Sequence, residues 1–386
     1  MNACAVSELR LESWIRHREL WGNYTECYHF DYIGDFPNSL GRLTAVYFVS
    51  VSTQGGLIMT DIQSIYSALH SQGLTKRNLA SLMPEWWSPE IEATPGAAQR
   101  AKLYLAKALS LQIRAFSENP PRVAFDLPVE KRFKLSSRTS ESDVAVAVAL
   151  AKSASRIALG SMDNDYSPLP KSAAQIRSQI LASGAPWVGL TQLLDLCWSS
   201  SIPVLHLASP LLGKKKMDGI AMSIKGRPSI VLSNVRKQGF LLFHLAHELG
   251  HIALGHLSEN GAIVDDEITK EEPEEGRNSQ EIEADRFAIE LLTGNADTRL
   301  VLPRLIKANA LADIATRFGR DRQIDPTHAV LNVAHNNPKI FGLCVGAVKS
   351  ISGPLTDQDL IRERALSNLA DGLDPDSEHL LRTLIA

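Results

Sequence analysis

Between Lys237 and His256 the chain holds a proline-free stretch in which Phe240, Leu241, Phe243, Leu245, Leu249, Ile252 and Leu254 form a broad apolar surface. That period predicts one buried helix. Set into it are His247, Glu248 and His251, the pattern H-E-x-x-H, and no other feature limits the possible folds as sharply. At about 100° per residue, positions four apart return to nearly the same face, so His247 and His251 can direct an imidazole nitrogen at one cation. Glu248 is rotated off that line. It is placed to hold water beside a metal, which suits a general base. Gly250 is the one poor helix former, costing about 1 kcal/mol against alanine, and it marks a spot where another backbone or a substrate comes close.

Two histidines leave a catalytic zinc ion short of three protein ligands. The metzincin pattern would continue with a glycine and then a histidine, but Leu254 and Leu257 hold those positions. A glutamate from a following helix is the other common solution. Asn278 or Ser279 can cap a helix running through Phe287, Ala288, Ile289, Leu291 and Leu292, with Glu281 in its first turn. Asp285, one turn later on the same face, can accept the ring N–H of a ligand histidine and fix its tautomer. Glu283 is turned about 200° away from Glu281. Spacing favours Glu281 as ligand and Glu283 as a solvated charge without deciding between them.

Upstream, Ile202 to Leu207, Gly219 to Ile224 and Ser229 to Leu232 are short apolar runs punctuated by glycine, proline and lysine. They predict a small sheet ahead of the metal helix and an α+β fold. An edge strand of such a sheet can pair with an extended substrate backbone. Arg227-Pro228-Ser229-Ile230-Val231-Leu232 is the candidate, with Ser229, Ile230 and Val231 as contact residues; an ordinary core strand is the alternative. The chemistry expected of such a site is peptide hydrolysis, with metal-activated water and Glu248 carrying the proton to the leaving nitrogen. A second donor is needed for the oxyanion. His244, His256, His328 and His335 are available, and nothing in the spacing selects one.

Met217-Asp218-Gly219-Ile220, Pro228 to Leu232, Phe240, the H-E-x-x-H helix and Glu281-x-Glu283-Ala284-Asp285-x-Phe287-Ala288 follow one another in an order that resembles the ImmA/IrrE-type metallopeptidases over roughly residues 200 to 295. The resemblance implies a zincin-like core and one zinc ion, with His247, His251 and Glu281 as ligands and Glu248 as catalytic glutamate. It also implies limited cleavage of a partner protein, commonly a DNA-binding repressor whose loss switches on stress or mobile-element genes. The chain departs from that family where Thr293-Gly294 follows Glu290-Leu291-Leu292.

The chain has 386 residues, 44% of them hydrophobic, enough for a substantial core and two or three domains. A net charge of −3 gives no sign of a nucleic-acid binder on average. Residues 99 to 138 nevertheless carry nine bases against three acids, and residues 257 to 277 carry eight acids against two bases. The first reads as solvated helix charge or as a nucleic-acid or acidic-partner surface, the second as a mobile linker or a lid. The opening residues lack a secretory pattern and no apolar run reaches spanning length, so a cytoplasmic protein without membrane contact is expected. Cys4, Cys27, Cys197 and Cys344 are dispersed, which argues against a disulfide framework or a second zinc site.

Three regions are expected. Residues 1–135 read as mainly helical, with Thr75 to Ala80 resembling the first half of a helix-turn-helix within 60–116 and offering a possible nucleic-acid contact. Residues 141–300 hold the metallopeptidase domain, and 301–386 a mainly helical sensor or docking region, with a strand at Lys339 to Val348. A regulatory zinc endopeptidase is the first functional expectation. The alternative is a DNA-binding regulator whose peptidase-like domain serves as a scaffold, and the intact Glu248 speaks against it.

Overall fold

Five short strands make one mixed sheet: β1 (Glu130–Lys134), β2 (Val204–His206), β3 (Gly219–Ile224), β4 (Arg227–Leu232) and β5 (Gly261–Asp265), in the spatial order β1-β5-β3-β4-β2. The computed structural model describes residues 62–94, 96–128, 130–134, 141–207, 217–233, 239–265, 279–369 and 372–385. Helices α1 (Ile62–His70), α2 (Lys76–Leu82), α3 (Pro89–Glu92), α4 (Ala97–Ala108) and α5 (Ile113–Phe116) precede β1. Helices α6 (Glu141–Gly160), α7 (Ala173–Ala182) and α8 (Leu190–Ser199) separate it from β2. Helices α9 (Phe240–Leu254) and α10 (Ser279–Thr293) flank β5. Then come α11 (Ala308–Arg322), α12 (Pro326–Asn336), α13 (Phe341–Ile351), α14 (Asp357–Leu369) and α15 (Pro375–Leu384). The molecule is thus mixed α and β, with the sheet ahead of and around the motif helix as expected. None of these helices is long and apolar enough to cross a membrane.

The sheet explains why its strands read as continuous apolar runs. β3 and β4 form a hairpin closed at Lys225-Gly226, β3 also pairs antiparallel with β5, and β2 runs parallel to β4. Pro228 through Leu232 are all buried, which requires cover on both faces. Helices α6 and α9 both pack on β3 and β4. The Ser229 hydroxyl is bonded to Ser155 of α6 at 2.9 Å. This corrects the expectation for Ser229, Ile230 and Val231. They belong to an interior strand, paired with β3 on one side, while β2 takes the other, down to Ile230 N–H on Pro203 O at 3.0 Å. No backbone edge is left there for a substrate.

The expected partition at 135 and 300 does not divide the core either. Ile65 and Leu105 from the early helices, Leu245 and Leu291 from the motif helices, and Leu381 from the last helix belong to one hydrophobic cluster. The described residues all fall within one compact unit, Thr60–Ala386; Met1–Met59 lies outside them. The last helix is tied to the early ones by Trp86 Nε1–H on Asp376 (3.0 Å) and Lys107 Nζ on Ser377 (3.0 Å). Only α11, α12 and α13 build a separate small core, around Leu311, Val330, Cys344 and Ala347. There the expected strand at Lys339 to Val348 is a helix, because Cys344, Ala347 and Val348 repeat at helical spacing against α11 and α12.

The early helices bear on one further expectation. Helix α4 ends at Ala108, where Ser110 turns to φ 46° and Leu111 bridges to Phe125. The helix opened by the Thr75–Asn78 capping box is followed only by the four-residue α3, so no recognition helix stands where a helix-turn-helix needs one. Part of the basic charge between 99 and 138 is used internally: Lys102 is buried, and Arg122 pairs with Glu118. The acidic run falls largely at 266–278, outside the described residues.

The motif helix is anchored from a distance. Asp357, at the start of α14, accepts hydrogen bonds from the backbone N–H groups of Gly239 (2.8 Å) and Leu241 (3.2 Å), two of the donors that open α9. Burial pushes its carboxyl up from 3.8 to about 6, against the lowering effect of those two N–H donors, and Asp325 adds to the rise. The folded protein therefore holds this proton more tightly than the unfolded chain. The associated stability is present below the unfolded value and is lost as pH climbs through about 6. Asp357→Asn keeps an acceptor oxygen and removes the titration. In urea unfolding, wild-type stability relative to that variant should fall between pH 4 and about 6. A difference that does not change with pH would refute the account.

Candidate metal centre

Helix α9 is apolar nearly all round, and from Leu241 to Ala253 only Phe243 is partly exposed. His247, Glu248 and His251 are therefore carried inside with it, each at 0% exposure. Burying three ionisable groups within two turns is costly unless other polar groups meet them. Those groups come from α10, which packs against α9. Gly250 is where the two helices touch: a Cβ there would stand 3.1 Å from Phe287 and 3.3 Å from the Ala284 Cα. The glycine thus serves the approach of another backbone, the first of the two roles its sequence position allowed.

This contact sets Glu281 of α10 over the two histidines. His247 Nε2 and His251 Nε2 are 3.1 Å apart, and each lies 3.5 Å from a carboxylate oxygen of Glu281. Two ligand atoms at about 2.0–2.1 Å from a tetrahedral zinc stand roughly 3.3–3.5 Å from each other. The spacing of the three donors matches. They are buried, and they form the one group of metal-ligating side chains found among the described residues. Burial, aided by the neighbouring His247, holds the His251 imidazole down to about 3, so at neutral pH it is the uncharged form that ligates metals. The donor set, two imidazoles and one carboxylate, fits a catalytic zinc site with a fourth position free.

Both imidazoles are held from behind. His247 Nδ1 is 2.9 Å from Asp285 Oδ1, so the carboxylate accepts the ring N–H and leaves Nε2 with its lone pair toward the cluster. His251 Nδ1 meets His256 Nδ1 at 2.9 Å, and His256 Nε2 meets Glu283 at 3.1 Å. Spacing alone does not show this second contact: it offers His256 only as one of four possible oxyanion donors, and Glu283 as a solvated charge, which its exposed side chain bears out. The signal of the contact was Gly255. With φ at 78° it reverses the chain, bonds His256 N–H to His251 O (2.9 Å) and folds residue 256 back over residue 251.

Glu248 points to the sheet side of the helix. A Cβ on Gly219, the first residue of β3, would collide with its Oε1, so only glycine leaves room for the carboxylate. Among the other histidines, His328 is buried and stacked on Phe243 with ring planes 7° apart. Burial, with Arg177 nearby, lowers it to about 4, so it is neutral. His244 is buried in α9, His206 is buried in β2, and His335 is exposed on α12. Cys344 belongs to the separate small core, and Cys197 is buried in α8.

Asp285→Asn should weaken zinc binding about 10- to 100-fold, because the amide no longer offers a charged acceptor to the His247 ring N–H. Competition with a chromophoric chelator measures it, and an unchanged affinity would remove Asp285 from the site.

A model of the family Peptidase U49 matches residues 237–324, a stretch that includes both α9 and α10. No curated protein and no solved structure matches the chain. The segment that carries the buried cluster is therefore similar to a peptidase family, and the family matched is U49 rather than the ImmA/IrrE type that the order of motifs resembles.

Proposed function

We propose that this protein is a zinc-dependent endopeptidase with a zincin-like core that makes limited cuts in a partner protein. One observation carries the reading: His247, His251 and Glu281 come together in the interior, on and against a helix that also carries the fully buried Glu248. The match of residues 237–324 to a peptidase family supports it. The chemistry that zinc supplies when bound with an open position is Lewis acidity, which brings water to a nucleophilic state near neutral pH.

The protein groups then divide the work. His247, His251 and Glu281 hold the ion, and Asp285 keeps the His247 ring in the right tautomer. Glu248 takes the proton from the attacking water and returns it to the leaving nitrogen, which a carboxylate can do when it sits one helix position from the ligands and not among them. Gly219 gives that carboxylate its place. The order of motifs, which resembles the ImmA/IrrE type, extends the proposal to the substrate: a regulatory, DNA-binding protein of a stress or mobile-element response. A scaffold without catalysis has no use for a buried Glu248, and the short α3 offers no recognition helix, so a DNA-binding regulator is the weaker reading.

Wild type and Glu248→Gln expressed in the host are to be compared by mass spectrometry of protein N-termini. New termini that appear only with wild type are expected, and their absence under every stress tried would reject peptidase action. Gly219→Ala should lower turnover at least about 100-fold, by displacing the general base, while zinc affinity by chelator competition stays near wild type. Loss of both together would mean that Gly219 supports the fold and not the carboxylate.

A further inference from the structure

The two imidazoles of the cluster are supported differently. His247 is backed directly by a carboxylate, Asp285. His251 is backed by a second imidazole, His256, which is 8% exposed, and only beyond that by Glu283, whose side chain is 57% exposed. A chain of hydrogen bonds therefore runs from the interior to the surface. Its direction is fixed by what each atom can do. If His251 Nε2 is kept for the ion, its Nδ1 must carry the proton and donate to His256 Nδ1. His256 Nδ1 is then an acceptor, which leaves the hydrogen of this neutral ring on Nε2, facing Glu283. The carboxylate accepts it. One assignment of hydrogens satisfies both contacts.

We infer that His256 and Glu283 are positioning residues: they form an outer relay that sets the tautomer and ring angle of His251 for metal binding. This rests on the metal reading above and adds two residues to the three ligands, Glu248 and Asp285. The backbone makes the relay rigid. The reversal at Gly255 bonds residue 256 to the His251 carbonyl, so the second imidazole is fixed by the same turn that ends the metal helix. Glu283 lies two residues from Glu281 and two from Asp285 on α10. The helix that delivers the third ligand thus also delivers the acceptors for His247 and His256, and a shift of α10 disturbs all three at once.

Two measurements test the inference on the full chain. The zinc-loaded protein labelled with 15N-histidine reports each ring's tautomer by long-range proton–nitrogen correlation, with His256 assigned from the spectrum of His256→Asn. His251 is expected as the Nδ1–H form and His256 as the Nε2–H form; the opposite tautomer at His256 overturns the relay. Chelator competition gives the second readout. His256→Phe should weaken zinc binding about 10- to 100-fold. His256→Asn, whose amide oxygen can stand near the place of Nδ1, should recover most of that loss, and Glu283→Ala should cause a smaller one. An affinity for His256→Phe within about twofold of wild type overturns the inference, against the 10- to 100-fold range usual for outer-shell partners. So does an equal loss in the Phe and Asn variants accompanied by lower thermal stability of both metal-free proteins, which would mark His256 as packing alone. Failure of the metal reading itself has a separate signature, in which wild type and variants alike take up no zinc.

Discussion

Burial of His247, Glu248 and His251 inside an apolar helix is the constraint on which the remaining structure depends. Ionisable groups withdrawn from water are tolerated when hydrogen bonds or a bound cation replace hydration. Helix α10 supplies those bonds with Glu281, Glu283 and Asp285 on three successive odd positions, two directly facing the histidines and one facing them through His256. The close approach at Gly250 is what lets short carboxylates reach across. Neither helix would hold this arrangement alone.

The rest of the fold works to keep α9 in place. The sheet lies along it, with Gly219 of β3 making room for Glu248, and α14 secures its first turn through Asp357. At the other end of α10, the Arg177 guanidinium bonds the carbonyls of Leu291 and Leu292 and also those of Arg322 and Gln323, which joins the ends of α10 and α11. The late helices α14 and α15 return to the main core beside β2, α6 and α8. A site built from residues 247 to 285 is thus braced by residues some seventy positions upstream and some seventy downstream. That long-range bracing is the physical reason the segment that holds the cluster does not stand apart as its own core.

Much of the local architecture was legible because helical period and punctuation act over a few residues. The motif helix, the glutamate helix after it and the runs that became β2, β3 and β4 follow from apolar spacing, glycine and proline. Reading failed where two structures share one pattern. Ile340 to Val348 is apolar and partly β-branched, which suits a strand as well as a buried helix; contact with α11 and α12 selects the helix. The run at 227–232 reads as a strand either way. Whether it stands at an edge is a property of its neighbours, and β2 occupies the side a substrate would have needed.

By itself, the sequence determined which side chains can meet one cation, since a four-residue step in a helix returns His251 beneath His247 whatever surrounds them. It also determined that Glu248 would stand off that line. The tertiary structure decided the partners. Glu281 rather than Glu283 lies over the histidines because α10 meets α9 at Gly250 in one rotation, and Glu283 is turned to the flank, where His256 awaits it after the reversal at Gly255. Periodicity gives the relative angles of residues within a helix, but not the angle at which that helix faces its neighbour, which is fixed by packing across the contact.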